Sequence, residues 1–529
     1  MKKEWKRLGA ALLTAVMAVS FTGCTTGGAE PETPASKGAE TEKTAEISAG
    51  ERVGSGKDTL NIGIAEDKST LAPVHNSREP GYQIYETLYI VDYVNDEFET
   101  ILAETLDITD ETHMTVTLHE GITDSAGNAF TAKDVLFSLK NASTDTISSM
   151  YIPYIDLEQT KVIDDRTIEI ALTSSNITQW YLLADVRMVT QAAMEASPDG
   201  MITTPVGTGP YVLKEYIIGS SIALTARDDY WGNAPSIKNV NFLVIPETAQ
   251  RAIALESGSI DYCVDTSAVD FKRFQEMGGY GTYARTQLKN KIVEFNCSQD
   301  SICQDVRVRQ AIAYGIDASA VNENAFGGLG SVSTGSVSSV CSGYDSSWNP
   351  DYYSYDIEKA KALLKEAGVA DGTHIVIGSK SSQPDATVAE IVQTFIMDLG
   401  FDAEIRSYDT ATWTSVRQDS NCGLDLCIQD YSSPEGYFAN ELWSGIFAVG
   451  TNHYENEELY GLLQESITER DEDKRLKMNQ KINEIVTEEL PGYGMVDLVS
   501  LYAWNQSLKG AENIIPKTTH IRASKMSFD

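Results

Sequence analysis

From Leu60 onward the chain alternates two hydrophobic periods, and that alternation restricts it to a mixed α/β fold. Leu60, Ile62 and Ile64 alternate with Asn61 and Gly63. HMTVTL (His113 to Leu118) and TIEIAL (Thr167 to Leu172) repeat the period of two with the Val, Ile and Thr that suit a pleated surface. Helical segments lie between such runs. TAKDVLFSL opens on Thr131 with Asp134 three residues on, which predicts a capping box with Asp in place of the usual Glu or Gln. PETAQRAIALESG stops at Gly258, YDIEKAKALLKEAG at Gly368 and VAEIVQTFIMDLG at Gly400, each at a C-terminal cap position. Val388, Ile391, Val392, Phe395, Ile396 and Leu399 share one face of the last of these. The helix from Asp471 is expected to turn Leu476, Asn479, Ile482, Ile485 and Val486 inward. No internal repeat is present, which disfavours solenoids and propellers.

At 529 residues the chain is too long for one core, and about 150 residues per domain gives about three and a half domains. With 42% apolar and 22% charged residues it is neither disordered nor membrane-spanning in composition. Its net charge of −36 repels polyanions, so nucleic acid is not an expected partner.

The first 23 residues read as an export signal: Lys2, Lys3, Lys6 and Arg7 precede an apolar run from Leu8 to Ser20, too short to span a bilayer. Phe21-Thr22-Gly23-Cys24 resembles the lipobox of bacterial lipoproteins, in which the Cys becomes the lipidated first residue. Residues 24–57 have almost no large apolar side chain and read as a flexible tether behind a lipidated Cys24.

Six cysteines remain after Cys24. Cys297/Cys303 and Cys422/Cys427 are close enough in sequence to pair, and buried free thiols are the equal alternative. No CxxC pair and no histidine at a zinc-ligand offset is present, so no metal and no cofactor are expected. The 6 histidines form no HExxH, and there is no GxSxG or GxxxxGK[ST], so the chain carries none of the readable catalytic constellations and is not expected to be an enzyme. The polar-aromatic stretch from Leu424 to Trp443, LDLCIQDYSSPEGYFANELW, follows an apolar strand and reads as a loop able to present a ligand pocket.

Five motifs stand in order between Leu60 and Asn505. They are TAKDVLFS; GTGPY at Gly207; the Tyr230-Trp231 pair followed by LESGSID; FNCSQDSICQDVRVRQAIAYGID; and the LLKEAG helix. In this the chain resembles the extracytoplasmic solute-binding proteins of family 5, which feed ABC importers of oligopeptides, dipeptides and, in one branch, nickel chelates. GTGPY, YW and RVRQA are read as fold signatures: Gly207 and Gly209 at a tight turn, and Arg307 and Arg309 on different helix faces with at least one paired to an acid.

The resemblance implies a two-lobed α/β fold of the type II periplasmic-binding-protein kind, with two crossovers and an extra α/β domain inserted in the first lobe. By motif order the first lobe takes 58–88, 204–292 and 498–529, the extra domain 89–203 and the second lobe 293–497. Ligand is then held in the cleft between lobes. In the peptide-binding branch an Asp three residues after a Trp receives the ligand's amine. Here Tyr431 stands at the Trp position and Pro434 at the Asp position, so Asp430 or Glu435 is the implied anchor, with Tyr431 and Tyr437 as the rings of that loop. In the nickel-chelate branch an Arg meets ligand carboxylates, and Arg187 in LLADVRMV resembles it. Arg78, in the loop HNSREPGY, occupies another cleft-facing stretch. For both arginines a structural ion pair is the alternative.

The resemblance therefore implies a monomeric, lipid-anchored protein on the outer face of the cell membrane. It would capture a small peptide or peptide-like solute and deliver it to an ABC permease with cytoplasmic ATPase subunits. A metal chelate or other non-peptide solute is the alternative ligand, and a sensory or chaperone-like binding protein without a transporter is the alternative class.

Overall fold

The computed structural model describes residues 58–529 apart from 68, 74–77, 93–96, 146–147, 420, 433–437, 440–441, 443–445, 447–449 and 514–520. The export signal, Cys24 with its tether, Glu435 and Tyr437 lie outside the described residues. The strands of the two principal sheets are β1 (Thr59–Ile64), β2 (Ala103–Ile108), β3 (His113–Leu118), β4 (Ile155–Val162), β5 (Thr167–Leu172), β6 (Tyr211–Ile217), β7 (Ser221–Ala226), β8 (Asn239–Val244), β9 (Tyr262–Cys263), β10 (Tyr280–Phe295), β11 (Ser331–Val332), β12 (His374–Lys380), β13 (Asp402–Tyr408), β14 (Leu426–Ser432) and β15 (Gly492–Asn505). The helices used below are α1 (Arg78–Ile84), α2 (Ala132–Ala142), α3 (Val306–Gly315), α4 (Asp385–Asp398), α5 (Thr410–Gln418), α6 (Glu457–Thr468) and α7 (Glu472–Glu489).

The larger sheet has 11 strands in the order β13-β12-β14-β10-β15-β9-β1-β8-β7-β6, with β11 paired to β15. Its two longest strands, β10 with 16 residues and β15 with 14, are neighbours in the middle. They pair antiparallel from Tyr280↔Asn505 to Glu294↔Gly492, and the ladder breaks between Thr286 and Asn290 and again between Lys291 and Ile292. Each side of this pair has its own core. Leu60, Ile62, Val240, Phe242, Tyr262 and Tyr502 pack on one side, and Val293, Phe295, Ile375, Ile377, Leu426 and Val496 on the other. Along β10, Tyr280 to Lys289 are half-buried or exposed and Asn290 to Phe295 are buried. The strand therefore leaves one core, crosses a wetter zone at the break and enters the other.

β1 is parallel to both its neighbours, β8 and β9, and β12 to both β13 and β14. Strands covered on both faces in this way are apolar on both, as IVIG in β12 is. α4 links β12 to β13 and lays Val388, Val392 and Ile396 on Ile375 and Ile377. α5 links β13 to β14 and lays Trp413 on Val376 and Cys427. Residues 375 and 377 face opposite to 376, so the two helices cover opposite faces and the strand order reverses between β12 and β14.

The smaller sheet is antiparallel, in the order β2-β3-β5-β4. Met114, Val116, Ile168 and Ile170 turn inward against Val135 and Leu139 of α2. The capping box of α2 forms with both reciprocal bonds, the Thr131 N–H donating to the Asp134 carboxylate at 2.8 Å. Two joints between this body and the rest of the chain stand out. The Ile177 N–H donates to the Ile467 carbonyl near the end of α6 at 3.0 Å, and Ile177 and Leu288 each pack in both the small-sheet core and the core under α6 and α7. At the second joint the Met188 N–H donates to the Glu86 carbonyl at 2.9 Å. The Tyr230 hydroxyl and the Trp231 indole N–H donate to the Glu86 carboxylate at 2.7 and 3.0 Å. The YW dipeptide thus clamps a buried acid.

The glycines of GTGPY serve contact rather than turn conformation, because a Cβ on Gly207 or Gly209 would lie 2.2 or 2.6 Å from the Ile84 carbonyl oxygen. Arg307 pairs with Asp305 at 2.6 Å, whereas Arg309 is buried and donates to the carbonyls of Cys303 and Gln304 at 2.8 Å each. The six described cysteines are free thiols. The expected inward face of α7 is not the one formed: Leu476 is 44% exposed, and Arg475, Asn479, Ile482, Asn483, Ile485 and Val486 turn inward. Arg475 takes the place because its aliphatic stem covers apolar surface while its head bonds the Glu469 carbonyl.

Burial raises the Glu86 carboxyl to about 7, against the lowering effect of the bonds from Tyr230 and Trp231. A group that holds its proton more tightly folded than unfolded contributes stability below the ordinary carboxylate range, and that stability is lost as pH rises through about 7. Glu86→Gln should therefore flatten the pH dependence of the unfolding free energy between pH 5 and 8, by an amount on the order of 3 kcal/mol, and that of Tm with it. Parallel thermal melts of the two proteins check this, and identical slopes would refute it.

Candidate functional site

The reversal of strand order between β12 and β14 creates a crevice at their carboxyl ends, where ligands of open α/β sheets bind. β14 pairs with β12 only at Leu426 and Cys427, but with β10 all the way to Ser432. Its Ile428–Ser432 edge on the β12 side thus has no strand partner among the described residues. Among the described residues no strand takes up the backbone donors and acceptors of that edge, which suits it to an added extended segment.

A charged cluster fills the base of this crevice. Lys291 on β10 is 1% exposed and is ion-paired with both Asp385, the first residue of α4, and Asp430 on β14. Lys289 lies 3.4 Å from Asp430, and Lys380, the last residue of β12, lies 3.3 Å from Asp385. Three ammonium groups share two carboxylates. Burial works to raise the Asp430 carboxyl, but Lys291 and Lys289 prevail and hold it below the usual carboxylate range. A desolvated lysine is tolerable only with such partners.

Asp430 and Tyr431, read from sequence as loop residues, belong to strand β14, because β10 continues to pair with it through Ser432. Asp430 is already engaged by two lysines rather than standing open for an amine. Tyr431 is buried among Ile292, Phe438 and Leu442. Next to it on the same strand, Gln429 is 1% exposed with neither end of its amide hydrogen-bonded.

Arg187 belongs to another group of contacts. It is 7% exposed and its guanidinium lies 4.6 Å from the centre of the Tyr82 ring, a cation–π contact. Tyr82 is on α1, and Arg78 is the first residue of that helix rather than part of a loop. The structure therefore brings Arg187 against the helix that Arg78 opens, and places Asp430 and Tyr431 on the far side of the crossover strands. Sequence reasoning passed over Lys289, Lys291, Lys380, Asp385 and Gln429. The available signal was LKNKIVEF: two lysines leading into an apolar strand need acidic partners.

The model of the bacterial extracellular solute-binding proteins, family 5 Middle, matches residues 97–444. The dipeptide-binding protein of Escherichia coli (strain K12) is 26% identical over 392 residues, which are 68% of this chain and 72% of that protein. Heme-binding protein A of Haemophilus influenzae is 23% identical, over 81% of this chain and 84% of its own length. Among solved structures, the periplasmic binding protein DppA of Helicobacter pylori in complex with the peptide STSA has a TM-score of 0.70 at 22% identity, covering 89% of this chain and 98% of that one. NikA of Brucella suis in complex with Fe(III)-EDTA has a TM-score of 0.77 at 20% identity, covering 89% and 100%. The fold is the two-lobed α/β architecture of type II periplasmic binding proteins, and the chain belongs to the bacterial extracellular solute-binding proteins of family 5.

Proposed function

We propose that this protein captures a short peptide or peptide-like solute between its lobes and delivers it to an ABC permease driven by cytoplasmic ATPases, without chemistry on the ligand. The observation that carries the reading is the open edge of β14 from Ile428 to Ser432, to which an extended peptide backbone can add as a strand. Family membership supports the same reading, as does the dipeptide-binding relative.

The first lobe then comprises 58–88, 204–292 and 498–529, the extra domain 89–203 and the second lobe 293–497. The ladder breaks at Thr286/Asn290 and Lys291/Ile292 support a crossover there, since an interrupted ladder is the least costly place for a hinge. Capture needs only that the closed form bind the solute better than the open one. Small-angle scattering with and without a peptide identified by mass spectrometry of the natively extracted protein should show a smaller radius of gyration in the bound state. Identical profiles, with binding verified by calorimetry, would contradict lobe closure.

The mature protein is further proposed to be held at the outer face of the membrane by lipid on Cys24. Support comes from the apolar run ending at Gly23-Cys24 and the polar stretch after it. No helix among the described residues is long and apolar enough to cross a membrane. Cys24→Ala should move the protein from the membrane to the soluble fraction, and unchanged retention would remove the lipid anchor.

A further inference from the structure

Arg285 lies on β10 just before the first break in the crossover ladder, opposite Ser500 of β15. It is half-buried, and its guanidinium Nε is shielded from solvent with no hydrogen-bond partner. Among the described residues no carboxylate pairs with it. Strand alternation gives it the same face as Tyr283, which packs in the core that holds Tyr85 and Val189. Arg285 thus stands on the face of the first-lobe sheet that carries α1, at the end of that face nearest the break.

Four residues further along the same strand is Lys289, and beyond the break Lys291 and Lys380 share Asp385 and Asp430. The crossover is therefore bordered on one side by an unpaired guanidinium and on the other by a cluster with more ammonium groups than carboxylates. The cluster is net positive in a chain whose net charge is −36, and the carboxylate at the break itself, Asp497 opposite Asn290, is taken up by the Ser333 hydroxyl and the Ser339 N–H. At physiological ionic strength the field of distant surface acids is screened within about 8 Å, so the groups lining the crossover decide which charge is welcome there.

We propose that the solute presents an anionic group, an acidic side chain for a peptide, to Arg285, with Lys289 and Lys380 adding to the attraction from across the break. The inference rests on the reading above that ligand lies along the crossover and the open edge of β14. A guanidinium whose Nε has no acceptor forgoes a strong charge-assisted bond, and a carboxylate matches its planar fork with two parallel ones. Asp430, held by two lysines, does not offer a competing welcome to an amine.

The test uses wild type, Arg285→Met and Arg285→Lys, each shown by circular dichroism to melt cooperatively. Each is equilibrated with an equimolar library of acidic, neutral and basic di- to pentapeptides, and separately with citrate and succinate. Bound species are identified by mass spectrometry, and the best-bound probe is titrated by calorimetry. Acidic peptides should be enriched on wild type, with about a 30-fold or greater loss of affinity in Arg285→Met and partial recovery in Arg285→Lys. Citrate or succinate binding that is lost in Arg285→Met, with no peptide retained, would sustain the anion site while ending the peptide reading. Peptides retained without regard to charge, at equal affinity for all three proteins, would overturn the anion site and leave the peptide reading standing. Retention of no probe by folded wild-type protein would overturn both.

Discussion

The antiparallel pairing of β10 with β15 is the constraint on which the molecule depends. Among the described residues these two strands alone in the large sheet belong to both cores, and the other strands reach their places by pairing outward from them. A regular ladder would make the whole sheet a single stiff slab. The breaks between Thr286 and Asn290 and between Lys291 and Ile292 interrupt it, the first of them where the strand is only half-buried. Lys289 and Lys291 share a face by regular alternation along the β10–β14 ladder, opposite Ser432 and Asp430, while Leu288 packs in the small-sheet core and the core under α6 and α7.

The Lys291 cluster explains how polar groups survive at the base of the crevice. A single buried ammonium would be costly, but Asp385 from a helix start and Asp430 from a neighbouring strand arrive from different elements and meet it. The cluster therefore ties α4, β10, β12 and β14 together at the place where β12 and β14 separate. Charge pairing here takes over from backbone pairing where the ladder ends. What it leaves unbalanced is one ammonium more than the two carboxylates it shares.

Much of the architecture was legible in the residues. Thr131 and Asp134 announced a helix start, HMTVTL and TIEIAL declared their strands, and Gly258, Gly368 and Gly400 marked helix ends, because each of these signals is local and has one physical solution. The chemistry of the crevice was not. Asp430 was visible as an acid beside a turn signal, yet whether it stands open or is held by lysines depends on a partner strand more than a hundred residues away. Leu476 was placed inward on periodicity alone, and lost the position to Arg475, whose stem packs as well and whose head finds a carbonyl. Arg78 read as a loop residue because the helix it opens is only 7 residues long, below the length at which period can be recognised.

The position of β15 also governs when the fold can exist. It follows every other strand of the large sheet in sequence, yet it lies at the centre of that sheet, between β10 and β9. Until Gly492 to Asn505 are available, the sheet is two fragments, each presenting a raw edge and an incomplete core. The joint between Ile177 and Ile467 likewise joins residues far apart in the chain. Contacts of such long sequence separation form slowly. The two parts of the sheet thus precede in sequence the strand that joins them, and they become a single object only when Gly492 to Asn505 enter the middle.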